Sequence, residues 1–401
     1  MPSVNRRALL QLAGAGAGLL GASTTVWAQT VEMPFANGAR PLVAYPEKRK
    51  LIRMTSRPPQ LETPMAVFDE GLITPNDAFY VRYHLANLPL DTIDPATFQL
   101  EVKGTVAKPL SLSLSDIKTM GATELVAVSQ CSGNGRGFFE PRVAGGQAGN
   151  GLMGNARWTG VPLKTVLDRA GIQPGAVQVR FDGLDGPVTD STPDFAKALM
   201  LDHARDGEVM LAWAMNGADL PFLNGYPLRL VVPGYFGTYW VKHLNEITVL
   251  DKPLANFWMA TAYRIVDNDC NCVAPGMTPV KTKPIGRFKV RSFITSVADD
   301  AHVGAGRSVP LRGIAFDGGT GIRQVQVSID GGSTWTDAKL GEDLGKYSFR
   351  GWSAPVTLTA GQHRLKVRAV SNAGETQPVE QPWNPAGYLR NLIETTTVNA
   401  A

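Results

Sequence analysis

Apolar residues alternate with polar ones over positions 98–102 and again over 177–181, the two-residue period of half-buried strands. Leu125, Val126, Ala127 and Val128 form an unbroken apolar run closed by turn residues, which predicts a short strand buried on both faces. Leu163, Val166, Leu167 and Ala170 repeat at i, i+3, i+4 and i+7, and Gly171 follows, so a helix ends there. A second, short helix is predicted over 114–120, introduced by Ser113 or Ser115. The segment 79–85 alternates as a strand, with Arg82 and His84 on one side. The segment 220–229 continues into Leu230-Val231-Val232-Pro233-Gly234, a buried strand flanked by the cations Arg229 and Lys242.

The pattern changes beyond residue 288. Val325, Val327 and Ile329 alternate with polar residues before an Asp330-Gly331-Gly332-Ser333 turn, and Leu365, Val367 and Ala369 alternate likewise. Short strands with close-set turns predict an antiparallel β-sandwich. The stretch 29–75 is rich in proline and turn formers and is expected to wrap the surface of the first domain, and 275–287 reads as a linker. The expected architecture is α+β: a mixed α/β domain over 29–285 and a sandwich over 286–401. Residues 1–28 stand apart. Asn5-Arg6-Arg7 opens a twin-arginine export signal, a small-residue apolar stretch follows, and Val26-Trp27-Ala28 offers a cleavage site.

Charge and cysteine content narrow the partners. The 401 residues carry 39 basic and 35 acidic side chains, and the first 28 hold two of the arginines and no acid. So small a net charge argues against nucleic acid as the main partner. No apolar run of membrane-spanning length follows residue 28, so no membrane anchor is expected. The three cysteines, Cys131, Cys270 and Cys272, are too few for a disulfide scaffold. Cys270 and Cys272 suit either a small ring or two free thiols. No Cys-x-x-Cys-His motif occurs, so no haem c is expected on this chain.

The densest chemical signal is Ser129-Gln130-Cys131-Ser132-Gly133-Asn134-Gly135-Arg136-Gly137. It presents one cysteine at a strand end on a glycine-rich loop, five residues from an arginine. A thiolate there suits a nucleophile or a metal ligand, and a buried cysteine beside a turn fits the spacing equally well.

This loop resembles the Cys-(Ala/Ser)-Gly-Asn-x-Arg loop of the sulfite oxidase family of molybdenum enzymes. Phe79-Tyr80-Val81-Arg82-Tyr83-His84 resembles the family's Phe-(Phe/Tyr)-Val-Arg-x-His segment. Asn224-Gly225-Tyr226-Pro227-Leu228-Arg229, with Pro233-Gly234, Gly237 and Val241-Lys242, is similar to its His-Gly-x-Pro-x-Arg signature, with asparagine at the histidine position. The resemblance extends through the immunoglobulin-like C-terminal domain. It implies a sulfite-oxidase-type molybdopterin-binding domain and a molybdenum ion bound to Cys131 and to one pterin. Tyr80, Val81, Arg82, His84, Asp185, Asn224, Arg229, Trp240, Val241 and Lys242 are implied as cofactor contacts. Arg82, His84, Arg136 and Tyr263 are implied at the substrate, with Arg82 and Arg136 clamping the sulfite oxygens and His84 either relaying a proton or serving as a structural hydrogen-bonding group. Sulfite would leave as sulfate, and the metal would be reoxidised in two one-electron steps. Within the family, the bacterial sulfite dehydrogenases that pair a molybdenum subunit with a separate c-type cytochrome fit best, which places the chain in the periplasm. An oxo-transfer reductase for methionine sulfoxide and a non-catalytic exported binding protein are the alternatives.

Overall fold

The computed structural model describes residues 30–33, 37–86 and 93–401, and the expected export signal lies outside them. Three sheets build the first part of the chain. The strands Thr30–Glu32, Ala39–Tyr45, Lys48–Ser56, Pro59–Glu62 and Val81–Arg82 follow one another in an antiparallel sheet. The turn-rich N-terminal stretch is thus a sheet in its own right rather than a surface wrap, because Leu51 and Leu61 face inward and are fully buried with Val81 and Tyr83. The segment 79–85 forms only a two-residue strand. Its backbone beyond Arg82 is engaged by side chains: Lys242 donates to the Arg82 carbonyl, and Arg82 itself to the Tyr83 carbonyl.

A second sheet orders Ala196–Met200, Gln178–Gly183, Leu244–Leu250, Gln99–Gly104 and Leu110–Ser113, with one parallel pairing at its centre. A third orders Ala218–Asp219, Met210–Met215, Met153–Pro162 and Thr123–Gln130, with Arg229–Val231 on Met210–Met215. The buried strand expected beside Arg229 is there as the three residues Arg229–Val231, and the segment before it is not extended. Pro221 opens a 3-10 turn at Phe222–Asn224, and Gly225 sits in the left-handed region at φ 110°. The helices Leu114–Lys118 and Leu163–Ala170 lie where periodicity puts them. Ser113 caps the first with a reciprocal Asp116 bond, and Gly171 ends the second at φ 71°.

The C-terminal part stacks a four-stranded sheet on a five-stranded one around Leu311, Val325, Leu365, Val367 and Val398. One pairing in it is parallel, Ala301–Val303 beside Glu394–Ala400, and the rest are antiparallel. The stretch expected to be a linker is largely exposed over 275–281, but its end is woven in: Thr282–Pro284 pairs with Arg264–Val266, and Ile285 is buried. Phe293, Phe316 and Phe349 of the sandwich join the same apolar core as Val128 and Trp158, so the two parts share a packed boundary. Cys270 and Cys272 are joined by a disulfide.

Candidate active site

The strand Thr123–Gln130 pairs in register with Met153–Pro162, ending at Gln130 opposite Met153, and this delivers Cys131 to the sheet edge. The Cys131 loop is then tied down from several sides. The Cys131 N–H donates to the Leu152 carbonyl, Asn134 accepts from the Leu152 N–H, and its amide donates to Gln130 Oε1. The facing segment is itself held by buried Glu62, which accepts from the N–H groups of Gly149 and Gly151 at 3.0 and 2.9 Å. A side chain at either glycine would collide with Glu62, so glycine is required there. Behind the loop, Arg291 of the sandwich donates to Gln130 Oε1, and the partly buried Glu394 is shared by Arg291 and Arg390.

Cys131, a free cysteine, stands on the wall between two cavities. The first, about 450 Å³, is lined by Tyr80, Arg82, His84, Ser132, Asn224, Arg229, Thr238, Trp240, Lys242 and Tyr263, with no carboxylate among the described residues of its wall. Its cations are rigidly held. Arg229 donates to the carbonyls of Asn224 and Trp240 and stacks on the Trp158 and Trp240 rings. Lys242 donates to the Arg82 carbonyl and lies over the Tyr83 ring. Burial lowers the pKa of Arg229 to about 10 and pulls that of Lys242 well below its ordinary value, although Asp185 opposes the second shift. Three buried polar atoms on residues lining this cavity have no partner among the described residues: Ser132 Oγ, Thr238 Oγ1 and Arg229 Nε. Closely placed cations, free donors and the absence of acid in the wall are what a phosphate-bearing anion needs. The residues present therefore fit a molybdopterin.

The second cavity, about 600 Å³, shares Arg82, Cys131 and Tyr263 with the first and adds Gln60, Arg136 and Tyr388, again without a carboxylate among the described residues. Arg136 threads past glycines. A Cβ at Gly133, Gly145 or Gly387 would come within 3 Å of its side chain. Its guanidinium lies 5.1 Å from the Tyr388 ring, which stacks on Tyr263 at 5.7 Å. Arg82 reaches the Tyr263 hydroxyl at 3.5 Å, and His84 Nε2 is hydrogen-bonded to the same oxygen. Burial holds the His84 imidazole well below its ordinary pKa, and Arg82, Lys242 and Lys197 add to the shift. His84 is consequently neutral near pH 7, which favours the hydrogen-bonding role over the proton relay.

The expected residues divide by position. Tyr80, Arg82, His84, Cys131, Asn224, Arg229, Trp240, Lys242 and Tyr263 converge on the first cavity, and Arg136 joins Arg82, Cys131 and Tyr263 at the second. Val81 and Val241 are core side chains and line neither cavity. Asp185, also outside the lining, is buried and acts on Lys242. Burial lifts its own pKa to about 6 against the pull of that lysine. Sequence reasoning missed Tyr388, Ser132, Thr238 and the buried His243. His243 bonds the Tyr83 hydroxyl at 2.7 Å and the Tyr226 carbonyl at 2.6 Å.

Residues 86–258 match the oxidoreductase molybdopterin binding domain, and residues 282–400 the Mo-co oxidoreductase dimerisation domain. The chain is 33% identical over 377 residues to mitochondrial sulfite oxidase of Mus musculus, covering 89% of this chain and 67% of that one. It is 29% identical over 383 residues to sulfite oxidase of Arabidopsis thaliana, covering 89% and 96%. A crystal structure of the sulfane dehydrogenase SoxCD from Paracoccus pantotrophus superposes with a TM-score of 0.74 over 100% of this chain and 99% of that one. At 23% identity that likeness establishes a common fold. The two matched domains and the extent of the sulfite oxidase alignment establish that this chain belongs to the sulfite oxidase family of molybdopterin oxidoreductases.

Proposed function

We propose that this chain oxidises sulfite to sulfate at a molybdenum–molybdopterin centre ligated by Cys131 and passes the electrons singly to a c-type cytochrome. The observation that carries the reading is the placement of Cys131 on the shared wall of two cation-lined cavities, neither of which has a carboxylate among its described lining residues. Arg229, Lys242, Asn224 and the free hydroxyls of Ser132 and Thr238 would hold the pterin and its phosphate. Molybdenum bound there supplies the oxygen-atom transfer and accepts two electrons. Each sulfite takes one oxygen derived from water and releases two protons and two electrons.

The chain's own residues do the positioning. Arg82 and Arg136 face one cavity with the Tyr263 hydroxyl, giving two guanidinium forks and a neutral donor for the oxygens of a dianion. Burial pushes the Tyr263 phenol up, so it keeps its proton and donates. His84 fixes the direction of that hydroxyl. Sulfite bound through its oxygens leaves the sulfur lone pair free to face Cys131. Sulfite oxidases among the relatives support sulfite as the substrate. The twin-arginine motif at Arg6-Arg7 supports a periplasmic location, and a chain without a haem-attachment motif needs an external electron acceptor. The test is sulfite-dependent reduction of cytochrome c by purified protein of known molybdenum content. Reduction proportional to molybdenum is expected. Stoichiometric molybdenum with no sulfite-dependent reduction would overturn the substrate and acceptor, and a chain that takes up no metal would make it a binding protein.

A further inference from the structure

Lys48 lies outside both matched domains, at the start of the strand Lys48–Ser56, just after a turn in which Glu47 adopts φ 60°. Its side chain runs inward and the residue is only 6% exposed. The ammonium donates to two acceptors, the Asn76 carbonyl and Asn224 Oδ1. Asn224 in turn donates through Nδ2 to the Tyr80 carbonyl at 3.1 Å, while its own carbonyl accepts from Arg229. A lysine can only donate and a carbonyl can only accept, so these two partners fix which end of the carboxamide faces which way. One amide N–H remains for the cavity that Asn224 lines.

We propose that Lys48 is a positioning residue of the cofactor cavity: it locks the Asn224 carboxamide with an N–H toward the bound anion. The role rests on the reading of that cavity as the pterin site. A buried lysine is costly. Burial lowers its pKa to about 7, with Glu47 and Asp77 drawing it back. Lys48 also helps depress Lys242, so cations crowd this wall, opposed by Asp185 at Lys242 and by Glu47 and Asp77 at Lys48. An anion in the cavity relieves that crowding, which explains why a lysine is kept where an apolar side chain would fill the same space.

The test uses the full chain carrying its cofactor, with Lys48→Met, Asn224→Ala and the double variant. Two quantities are read: pterin retained per chain during dialysis, and the melting temperature of protein stripped of pterin. Lys48→Met is expected to lose pterin about tenfold faster than wild type, the size of one charge-assisted contact, while the stripped protein melts no lower. The double variant is expected to lose pterin no faster than Asn224→Ala, because both changes remove the same contact. Should Lys48→Met fail to fold, Lys48→Gln keeps a donor for Asn224 without the charge and is expected to lose pterin at an intermediate rate. Wild-type retention in either Lys48 variant, or losses that multiply in the double variant, overturns the role of Lys48 alone. A wild-type chain that never holds pterin overturns the reading of the cavity and this role with it.

Discussion

The two cavities that meet at Cys131 are built in different ways. On the first side two cations are locked by protein: Arg229 by two carbonyls and two indole rings, Lys242 by a carbonyl and the Tyr83 ring. On the second side Arg136 makes longer bonds to the Ala386 and Gly146 carbonyls, at 3.2 and 3.4 Å, and rests on Tyr388. A rigid wall suits a ligand that is bound once and kept. A loosely tethered arginine suits one that enters and leaves at every turnover, since its donors are free to change partners. The origins differ too. The rigid wall comes mainly from the first part of the chain, whereas the second cavity is closed by Tyr388 from the far end of the sequence.

Exchanging the damage between the two sides breaks this comparison if it is wrong. Arg136→Met removes a charge-assisted contact of about 1.5–3 kcal/mol and should raise the sulfite KM roughly ten- to a hundredfold, with pterin content unchanged. Arg229→Met should do the reverse, stripping pterin while the chains that keep it retain a near-normal KM. Equal effects of the two substitutions on KM and on pterin content would erase the distinction between the walls.

A smaller effect lies beneath Tyr263. Lys197 is fully buried, donates to the Trp258 carbonyl and sits 5.3 Å from the Tyr263 ring, and burial lowers its pKa to about 7. The unfolded chain keeps this lysine protonated to near pH 10, so between about pH 7 and 10 the unfolded state binds more protons and stability rises with pH. The cost of the buried charge is fully present below pH 7 and fades as pH rises. Lys197→Met should therefore flatten the rise in melting temperature of cofactor-free protein between pH 7 and 10, with its largest gain over wild type at the acid end. An unchanged slope would mean that solvent reaches Lys197.

Much of the site was legible because its residues sit in short, self-contained patterns. Cys131 with Arg136, Arg82 with His84, and Arg229 with Lys242 each sit in a short stretch that resembles a family motif, and the resemblance locates them. Spacing alone leaves Arg82 and His84 on the solvated face of an edge strand, and Arg229 and Lys242 as surface cations at strand ends. Tyr388 was not legible. It lies in a stretch without regular periodicity and reaches the site only because the sandwich packs its end against the Cys131 loop. Lys48 and Glu62 were hidden in a region whose prolines and turns mask the inward alternation of Leu51 and Leu61. The immunoglobulin-like sandwich was read correctly from its turns, but its parallel pair was not, since pairing direction depends on the path of the chain and leaves no mark on period. Nor did spacing decide between a disulfide and two thiols at Cys270 and Cys272.

The central claim is that Cys131 places its sulfur on molybdenum at the boundary of the two cavities. X-ray absorption at the molybdenum edge, on wild-type protein and on Cys131→Ser with matched metal content, tests it most directly. The account predicts one fewer sulfur scatterer around the metal in the serine variant and a fall in sulfite turnover of more than about a hundredfold, beyond the loss typical of residues that merely support a ligand. An unchanged sulfur count, or turnover close to wild type, would contradict it.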